Sequence, residues 1–375
     1  MKVNNQAVEP LIISRVDAFG LNLPLNKIVL MAGVELTTVE SLLIRIETEN
    51  GLVGWGEASS APSHGGASLK DMLTSFHQEI HDFLIGKNVL ELSGITQQLN
   101  RITKDATSTV AAVDVALYDL LGKYLKVPVH VLLGGQQRHQ VPPLWLIGNS
   151  SIEQDLSEAQ KKWDQGYRFF KLKLGVKSLD DDIALTIAIR EKFGDALQIC
   201  ADANMGMNLD QATRYVQAVK NTQLAYLEQP LHKKDITGIQ TLAKISPIPI
   251  GLDESVTSTD DILAAARDGV QGVSLKTLKL GGLSGVMSAG HLCNAFKLQI
   301  NLASKMAETG IGAAALLHLS AALPNVNWGV SPTHLYLTND VVSHQEQPIN
   351  GFFTISSLPG LGIEVNQAVI DQHIV

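Results

Sequence analysis

Three carboxylates and three lysines recur at a regular interval through the middle of this chain. Lys171 and Lys173 lie one residue apart in FKLKLG, Asp202 in ADAN, Glu228 in LEQP, Asp253 in LDES and Lys276 in LKTL. From Lys173 onward, successive members are 23 to 29 residues apart, about the length of one strand-plus-helix unit. Each sits at the carboxyl end of a short apolar run, so the folded chain would gather them at one end of neighbouring strands. One aspartate in such a place reads equally well as the cap of the next helix. Three converging carboxylates repel strongly in a low-dielectric pocket unless a cation neutralises them. An all-oxygen set with few protein ligands suits a hard cation that keeps positions for water or substrate, hence Mg²⁺, with Mn²⁺ as a substitute.

Period-two alternation puts Lys171 and Lys173 on one face of their strand. Two ammoniums that close disfavour each other's charge, which predicts a lowered pKa and a usable base near neutral pH. Together with the lysines, a cation so held could carry a substrate beside proton-transfer groups.

The elements that must position them follow from the patterning. Residues 40 to 57 alternate around Asn50-Gly51, which predicts a hairpin with a two-residue turn. Residues 67 to 86 and 106 to 125 read as helices. From Val141 onward eight apolar runs alternate with plausible helices: VPPLWLIG, FFKLKLG, LQICADAN, AYLEQP, PIGLDES, GVSLKTL, LQINLASK and NVNWGVSP. Parallel neighbours need crossover helices, so the fold class expected is α/β, a (β/α)8 barrel, with chemistry at the carboxyl ends of its strands. An open doubly wound sheet is disfavoured because no glycine-rich phosphate loop follows an early strand. Lys276 on the sixth run would face Lys173 on the second across the barrel.

Bulk properties narrow the class. The 375 residues are 45% hydrophobic and carry a formal net charge of -8 without a long basic run, so neither nucleic acid nor an anionic membrane is an expected partner. No run of eighteen apolar residues and no signal-like start occur, and the expectation is a cytoplasmic protein. Cys200 and Cys293 are read as buried free thiols.

The set FKLKLG, ADAN, LEQP, LDES and LKTLKLGG resembles the enolase superfamily, specifically its muconate lactonizing enzyme subgroup. The resemblance extends to VGWGEA, to VDVALYDLLGKYLKVPVHVLLGG and to LPGLGIEVN, and so covers essentially the whole chain. It implies that Lys173 and Lys276 are the acid-base pair, that Lys171 tunes Lys173, and that Asp202, Glu228 and Asp253 hold Mg²⁺. Asn204 would support the site and contact substrate, and Glu308 would match a glutamate that lines it. It also implies an α+β capping domain, residues 1–133 completed by 350–375, over a barrel of residues 134–349. Loops near 20 to 35 and 57 to 68 would close on the substrate, with His64 in the second and Ile28, Val29, Leu30 and Met31 beside an apolar tail.

The mandelate racemase subgroup, with a histidine on the seventh strand, is disfavoured by LASKM. Ala313 stands where N-acylamino acid racemases and o-succinylbenzoate synthases carry the arginine of GIGRA. Asn325-Val326-Asn327 stands in place of the Asp-x-Asp of dipeptide epimerases, which disfavours a free-amine dipeptide. The implied activity is racemisation or epimerisation of an amino-acid derivative, with muconate-type cycloisomerisation and acid dehydration as alternatives. A barrel that binds metal and carboxylate without turnover is the reading from a different class. The expected partners are a small carboxylate substrate and further copies of the chain in a homo-oligomer.

Overall fold

The computed structural model describes residues 9–31, 34–62, 66–103 and 106–375. The chain opens with three antiparallel strands, β1 (Ile13–Met31), β2 (Val34–Thr48) and β3 (Val53–Ser59). The connection from β2 to β3 differs from the expected two-residue turn. Thr48 N–H donates to Leu52 O at 3.0 Å and Gly51 N–H to Thr48 O at 2.8 Å, so Glu49, Asn50 and Gly51 form a three-residue loop. Only Gly51 has positive φ, at 79°, whereas the two-residue turn that suits Asn-Gly needs it at both positions.

The sheet packs on the helix Thr107–Leu125, which is buried on nearly every side. Gly54 and Gly56 permit the close approach: a Cβ on Gly56 would lie 1.9 Å from Ala112 O, and one on Gly54 2.4 Å from Ala116 O. The expected helix over 67 to 86 is split into Leu69–Ser75 and His81–Leu84 by a wider π-type turn over Phe76–Ile80.

A two-residue strand, β4 (Gln140–Val141), precedes the barrel and pairs with β13 (Phe353–Thr354) near the end of the chain. Between them run β5 (Trp145–Ile147), β6 (Phe169–Lys173), β7 (Gln198–Asp202), β8 (Leu227–Glu228), β9 (Ile250–Leu252), β10 (Gly272–Leu275), β11 (Gln299–Ala303) and β12 (Val330–Ser331). These form one eight-stranded sheet in sequence order. A parallel bridge between Pro143 and Val330 and a 2.9 Å bond from Leu144 N to Val330 O join its two edges. Helices cross between strands, and most begin at a side-chain cap: Ser151, Ser178, Asn208, Asp235, Ser258 and Thr309 each accept from the first turn. The caps after β7 and β9 are thus Asn208 and Ser258, which frees Asp202 and Asp253 from that duty.

The barrel floor is closed by Leu144, Phe169, Cys200, Tyr226 and Trp328. The Tyr226 and Trp328 rings stack 4.1 Å apart, and Gly251 and Gly272 leave the space the indole fills. Closure below means that substrate can enter only from the mouth. The C-terminal residues return to the antiparallel sheet, where Ile374 bridges Leu21 and Val375 N–H donates to Gly20 O at 3.0 Å. Among the described residues no helix is long and apolar enough to cross a membrane.

Candidate active site

β6, β7 and β8 run in register, so Lys173 pairs with Asp202 and Asp202 with Glu228 along the ladder. Glu228 pairs in turn with Gly251, two residues before Asp253, and alternation returns Asp253 to the same wall. The backbone just beyond is strained: Asn204, Met205 and Gln229 have φ of 42°, 64° and 35°. Local bonds hold it there. Asp202 Oδ1 accepts from Asn204 N–H at 3.0 Å, and Gln229 Oε1 accepts from Asp253 N–H at 2.9 Å and Ser255 N–H at 3.1 Å. Gln229 therefore fixes the loop that carries Asp253, a role not anticipated from LEQP.

The polar groups form two tiers. In the lower one the Lys171 ammonium donates to Glu228 and, at 3.2 Å, to Asn301 Oδ1. Ser274 Oγ bonds Glu228 at 2.8 Å, and Asn301 Nδ2 donates to the carbonyls of Trp328 and Gly329. In the upper tier Lys173 Nζ lies 2.5 Å from Asp202 Oδ2 and 3.0 Å from Asn204 Oδ1, and Asn204 Nδ2 donates to Glu254 at 3.0 Å. Lys276 Nζ and Lys279 Nζ each lie 2.6 Å from Asp253. All three carboxylates are at least 98% buried.

The electrostatics follow from this pairing. Burial opposes the Asp253 charge, but Lys276 and Lys279 outweigh it and hold the carboxyl far below the usual range. Asp202 is likewise held low, against its burial, by Lys173 and Lys171. For Glu228 burial wins over Lys171 and its pKa rises. Glu254 is pushed up to about 7 by burial beside Asp253 and Asp202. The expectation that Lys171 and Lys173 depress one another is corrected for Lys171: burial favours its neutral form, yet Glu228 beside it raises its pKa. The Lys171 ammonium has its own carboxylate in Glu228, which counts for more than the neighbouring ammonium. The lysines held low are Lys279, by burial, and Lys305, brought down to about 8 by burial with Lys276 and Lys173 nearby.

The donor set, three buried carboxylates on adjacent strands, has the chemistry of a hard divalent-cation site. In their present rotamers the carboxylates are each turned to a lysine, and among the described residues no three Asp, Glu, His or Cys side chains converge as a chelating group. Binding of a cation at Asp202, Glu228 and Asp253 would release the lysines from those contacts.

These side chains surround a cavity of about 460 Å³. Lys171, Lys173, Asp202, Asn204, Glu228, Asp253 and Lys276 all line it. The amino-terminal region contributes Ala61, Gly66 and Ala67 from the expected loop near 57 to 68, together with Thr107 and Ser108, which open the buried helix. His64 lies outside the described residues. Ile28, Val29 and Leu30 are absent from the lining: Ile28 is 55% exposed and Val29 packs in the core, while the Met31 side chain is outside the described set.

Two expectations about the far wall are corrected. Asn325 and Asn327 precede β12 and lie at its floor end, bonded to Leu298 O and Gln299 Oε1. Ser331 and Thr333 stand at its mouth, a position without an acid. Glu308 does not line the cavity. It is 3% exposed, accepts from Lys305 N–H at 3.0 Å and lies beside Glu57 of β3. Glu57 itself accepts from Thr309 N–H, Thr309 Oγ1 and Gly312 N–H, and so caps the helix Gly310–Ala322 from the opposite domain.

Burial raises the pKa of Glu57 in spite of those donors, and burial together with Glu57 beside it pushes Glu308 up to about 8 from the usual 4.5. The native state therefore keeps a proton that the unfolded chain loses. Its stabilising contribution is complete below about pH 4.5 and is lost as pH rises through about 8. Glu308→Gln is expected to flatten this slope, about 1.4 kcal/mol per pH unit at its steepest. Urea midpoints compared at about pH 5 and about pH 8.5 check it; parallel slopes in the two proteins would refute the assignment.

A model of the mandelate racemase / muconate lactonizing enzyme N-terminal domain matches residues 22–134, and one described as enolase C-terminal domain-like matches residues 154–369. Muconate cycloisomerase 1 of Rhodococcus opacus is 30% identical over 363 residues, covering 96% of this chain and 97% of that protein. The L-Ala-D/L-Glu epimerase of Bacillus subtilis is 27% identical over 354 residues, or 94% and 96%. The crystal structure of the muconate lactonizing enzyme of Pseudomonas fluorescens complexed with muconolactone superposes with a TM-score of 0.93 at 26% identity, over 98% of this chain and 100% of that one. Fold and matches together define an isomerase of the enolase superfamily. Within it, the chain belongs to the mandelate racemase / muconate lactonizing enzyme family, in the muconate lactonizing enzyme subgroup.

Proposed function

We propose that this protein is a Mg²⁺-dependent racemase or epimerase of an amino-acid derivative, with Lys173 and Lys276 as its acid-base pair. The observation that carries the reading is their placement. Lys173 ends β6 and Lys276 directly follows β10, four strands apart in a ring of eight, and they line one cavity on either side of the carboxylate wall. Inversion at a carbon needs a base on one face and an acid on the other.

Asp202, Glu228 and Asp253 would hold the cation, which when bound supplies positive charge to the substrate carboxylate oxygens as the α-proton leaves. Lys171 and Ser274 would position Glu228, Gln229 would position Asp253, and Asn204 would hold Lys173 in place. The capping segments around Ala61 and Gly66 would exclude water from the mouth. Cycloisomerisation of a muconate remains the second reading, favoured by the relative that is 30% identical and bears that name.

Proton NMR in D₂O with MgCl₂ tests the proposal. Enantiopure N-acylamino acids are expected to lose the α-proton signal and their optical rotation together, and EDTA is expected to stop both. Lactone formation from cis,cis-muconate without α-exchange of any amino-acid derivative would select the second reading.

A further inference from the structure

We propose that Gly148, with the Lys27–Glu158–Asn149 chain behind it, positions the Lys173 side chain, so that the hairpin of β1 and β2 acts on the acid-base pair through the wall of the barrel. This rests on the isomerase reading above and adds to it positioning residues from outside the cavity, since none of these four lines it.

The first observation is a contact. Ile147 pairs with Leu172 between β5 and β6, so Gly148 stands beside Lys173 at the next step of the ladder. A Cβ on Gly148 would lie 2.8 Å from Lys173 Cβ, 3.2 Å from its Cγ and 3.7 Å from Leu30 O of β1. Hairpin backbone, turn and lysine stem therefore meet in one place. The closest approach is to the root of the lysine, not to its flexible end, so a side chain here would displace Lys173 from its course. Asn204 Oδ1 lies 3.0 Å from the ammonium, and Gly148 sets the line of the stem that carries it.

The second observation is what holds the turn. Asn149 N–H donates to Asp155 Oδ1 at 2.7 Å, and Asn149 Nδ2 donates to Asp155 Oδ1 at 3.0 Å and to Glu158 Oε2 at 2.7 Å. Asp155 and Glu158 lie about one turn apart on the helix Ile152–Asp164. Lys177, four residues past Lys173, donates to Asn149 O at 2.9 Å and Asp155 Oδ2 at 2.6 Å, which ties the segment after β6 to the turn after β5. The third observation is the link to the hairpin. Where β1 pairs with β2, the four residues from Leu25 to Ile28 stand opposite Thr37 alone, a bulge that bends the strand at Lys27. Asn26 Nδ2 donates to Leu335 O at 2.8 Å and Thr338 N–H to Pro24 O at 2.9 Å, which pin the bulge to the segment after β12. Lys27 donates to Glu158 Oε1, and its ammonium lies 5.9 Å and 5.5 Å from the stacked rings of Trp145 and Tyr336. Trp145 Nε1 donates to the same oxygen at 2.9 Å. Burial opposes the Glu158 charge, but Lys27, Asn149 and Trp145 outweigh it. One oxygen of Glu158 thus serves the hairpin and the other serves Asn149. Withdrawal of Lys27 frees the carboxylate to turn and loosens the residue next to Gly148.

Two measurements test this. Proton NMR in D₂O with MgCl₂ follows α-proton exchange from each enantiomer of the N-acylamino acids. Gly148→Ala is expected to slow exchange from the enantiomer served by Lys173 about 10- to 100-fold, as misplacement of a reacting group by about an ångström does, and to leave the Lys276 side unchanged. Lys27→Met is expected to give the same one-sided loss, about tenfold or less, and Lys27→Arg to behave as wild type. Protein labelled with ¹³C at lysine Cε reads the geometry without turnover, with Lys173 and Lys276 assigned from their alanine variants. Gly148→Ala and Lys27→Met are both expected to move the Lys173 signal and to leave that of Lys276 in place. Equal loss from both enantiomers, as general destabilisation or a simple lid would give, overturns the proposal, and so does a Lys173 signal that neither variant moves. If Gly148→Ala does not fold, Lys27→Met and Glu158→Gln read the same two quantities. The isomerase reading fails separately, through absence of α-proton exchange in the wild type, and the Cε spectra then decide the positioning alone.

Discussion

Replacing Lys173 with alanine is expected to abolish racemisation while sparing proton exchange from one enantiomer only. Lys173 and Lys276 line the cavity from opposite sides, so as the proposed acid-base pair each would reach the α-proton of one hand of the substrate. With Lys173 gone, the antipode served by Lys276 still exchanges its proton with D₂O but cannot receive one on the other face. Lys276→Ala is expected to show the mirror-image pattern. General acid-base groups contribute about 10²- to 10⁴-fold, and the lost exchange is expected to fall by that factor. The experiment follows the α-proton of each pure enantiomer by NMR in both variants. Loss of exchange from the same enantiomer in both would show that the lysines do not act as a two-faced pair, and would turn the assignment towards one-base cycloisomerisation.

Asp253→Asn is expected to be the most destabilising single change in the site. The Asp253 carboxylate serves both Lys276 and Lys279, and removing its charge takes the bonded anion from two partly buried ammoniums and leaves Glu254 as a nearby counter-charge. Breaking one buried pair typically costs about 3–5 kcal/mol, and this change breaks two that share a partner. Adding Lys279→Met should return part of the stability by removing one stranded charge, but no activity, since the proposed cation ligand is still missing. Urea denaturation of the three proteins measures the first effect, and melting with and without MgCl₂ measures the second. Magnesium should stabilise the wild type by mass action and leave both variants unmoved. A single variant as stable as wild type, or one that gains equally from magnesium, would remove Asp253 from the role proposed for it.

Much of the site was legible because period-two alternation and parallel register are local rules. Lys173, Asp202 and Glu228 close consecutive apolar runs, and such runs end level when their strands pair in register. At the eighth strand the error was one of place along the chain: Asn325 and Asn327 precede Val330–Ser331 and lie at its floor end, whereas Ser331 and Thr333 stand at the mouth. Period-two alternation also passed over Lys305, which shares a face with Ala303 but stands beyond the end of the strand. Glu308 was misplaced for a different reason. Its surroundings are set by Glu57, which comes from a separate sheet early in the chain, and no local pattern carries that pairing. The direction of the Lys171 shift was likewise out of reach, because it depends on which carboxylate lies beside the ammonium once the strands are assembled.

The carboxylate of Glu57 has a consequence for how such proteins can be recombined. It reaches from the antiparallel sheet to the first turn of a barrel helix, while Asp114 of the buried helix accepts from Ser284 N–H at 3.0 Å and Ser284 Oγ at 2.6 Å on another. A chimera that grafts a foreign amino-terminal region onto this barrel would leave the amide groups of both helices without acceptors, unless the donor carries acids at matching positions. Exchange of the amino-terminal region, which supplies Ala61, Gly66 and Thr107 to the cavity, is therefore constrained by two carboxylates that do not line it. A successful graft would have to move Glu57 with Thr309, and Asp114 with Ser284, as linked pairs.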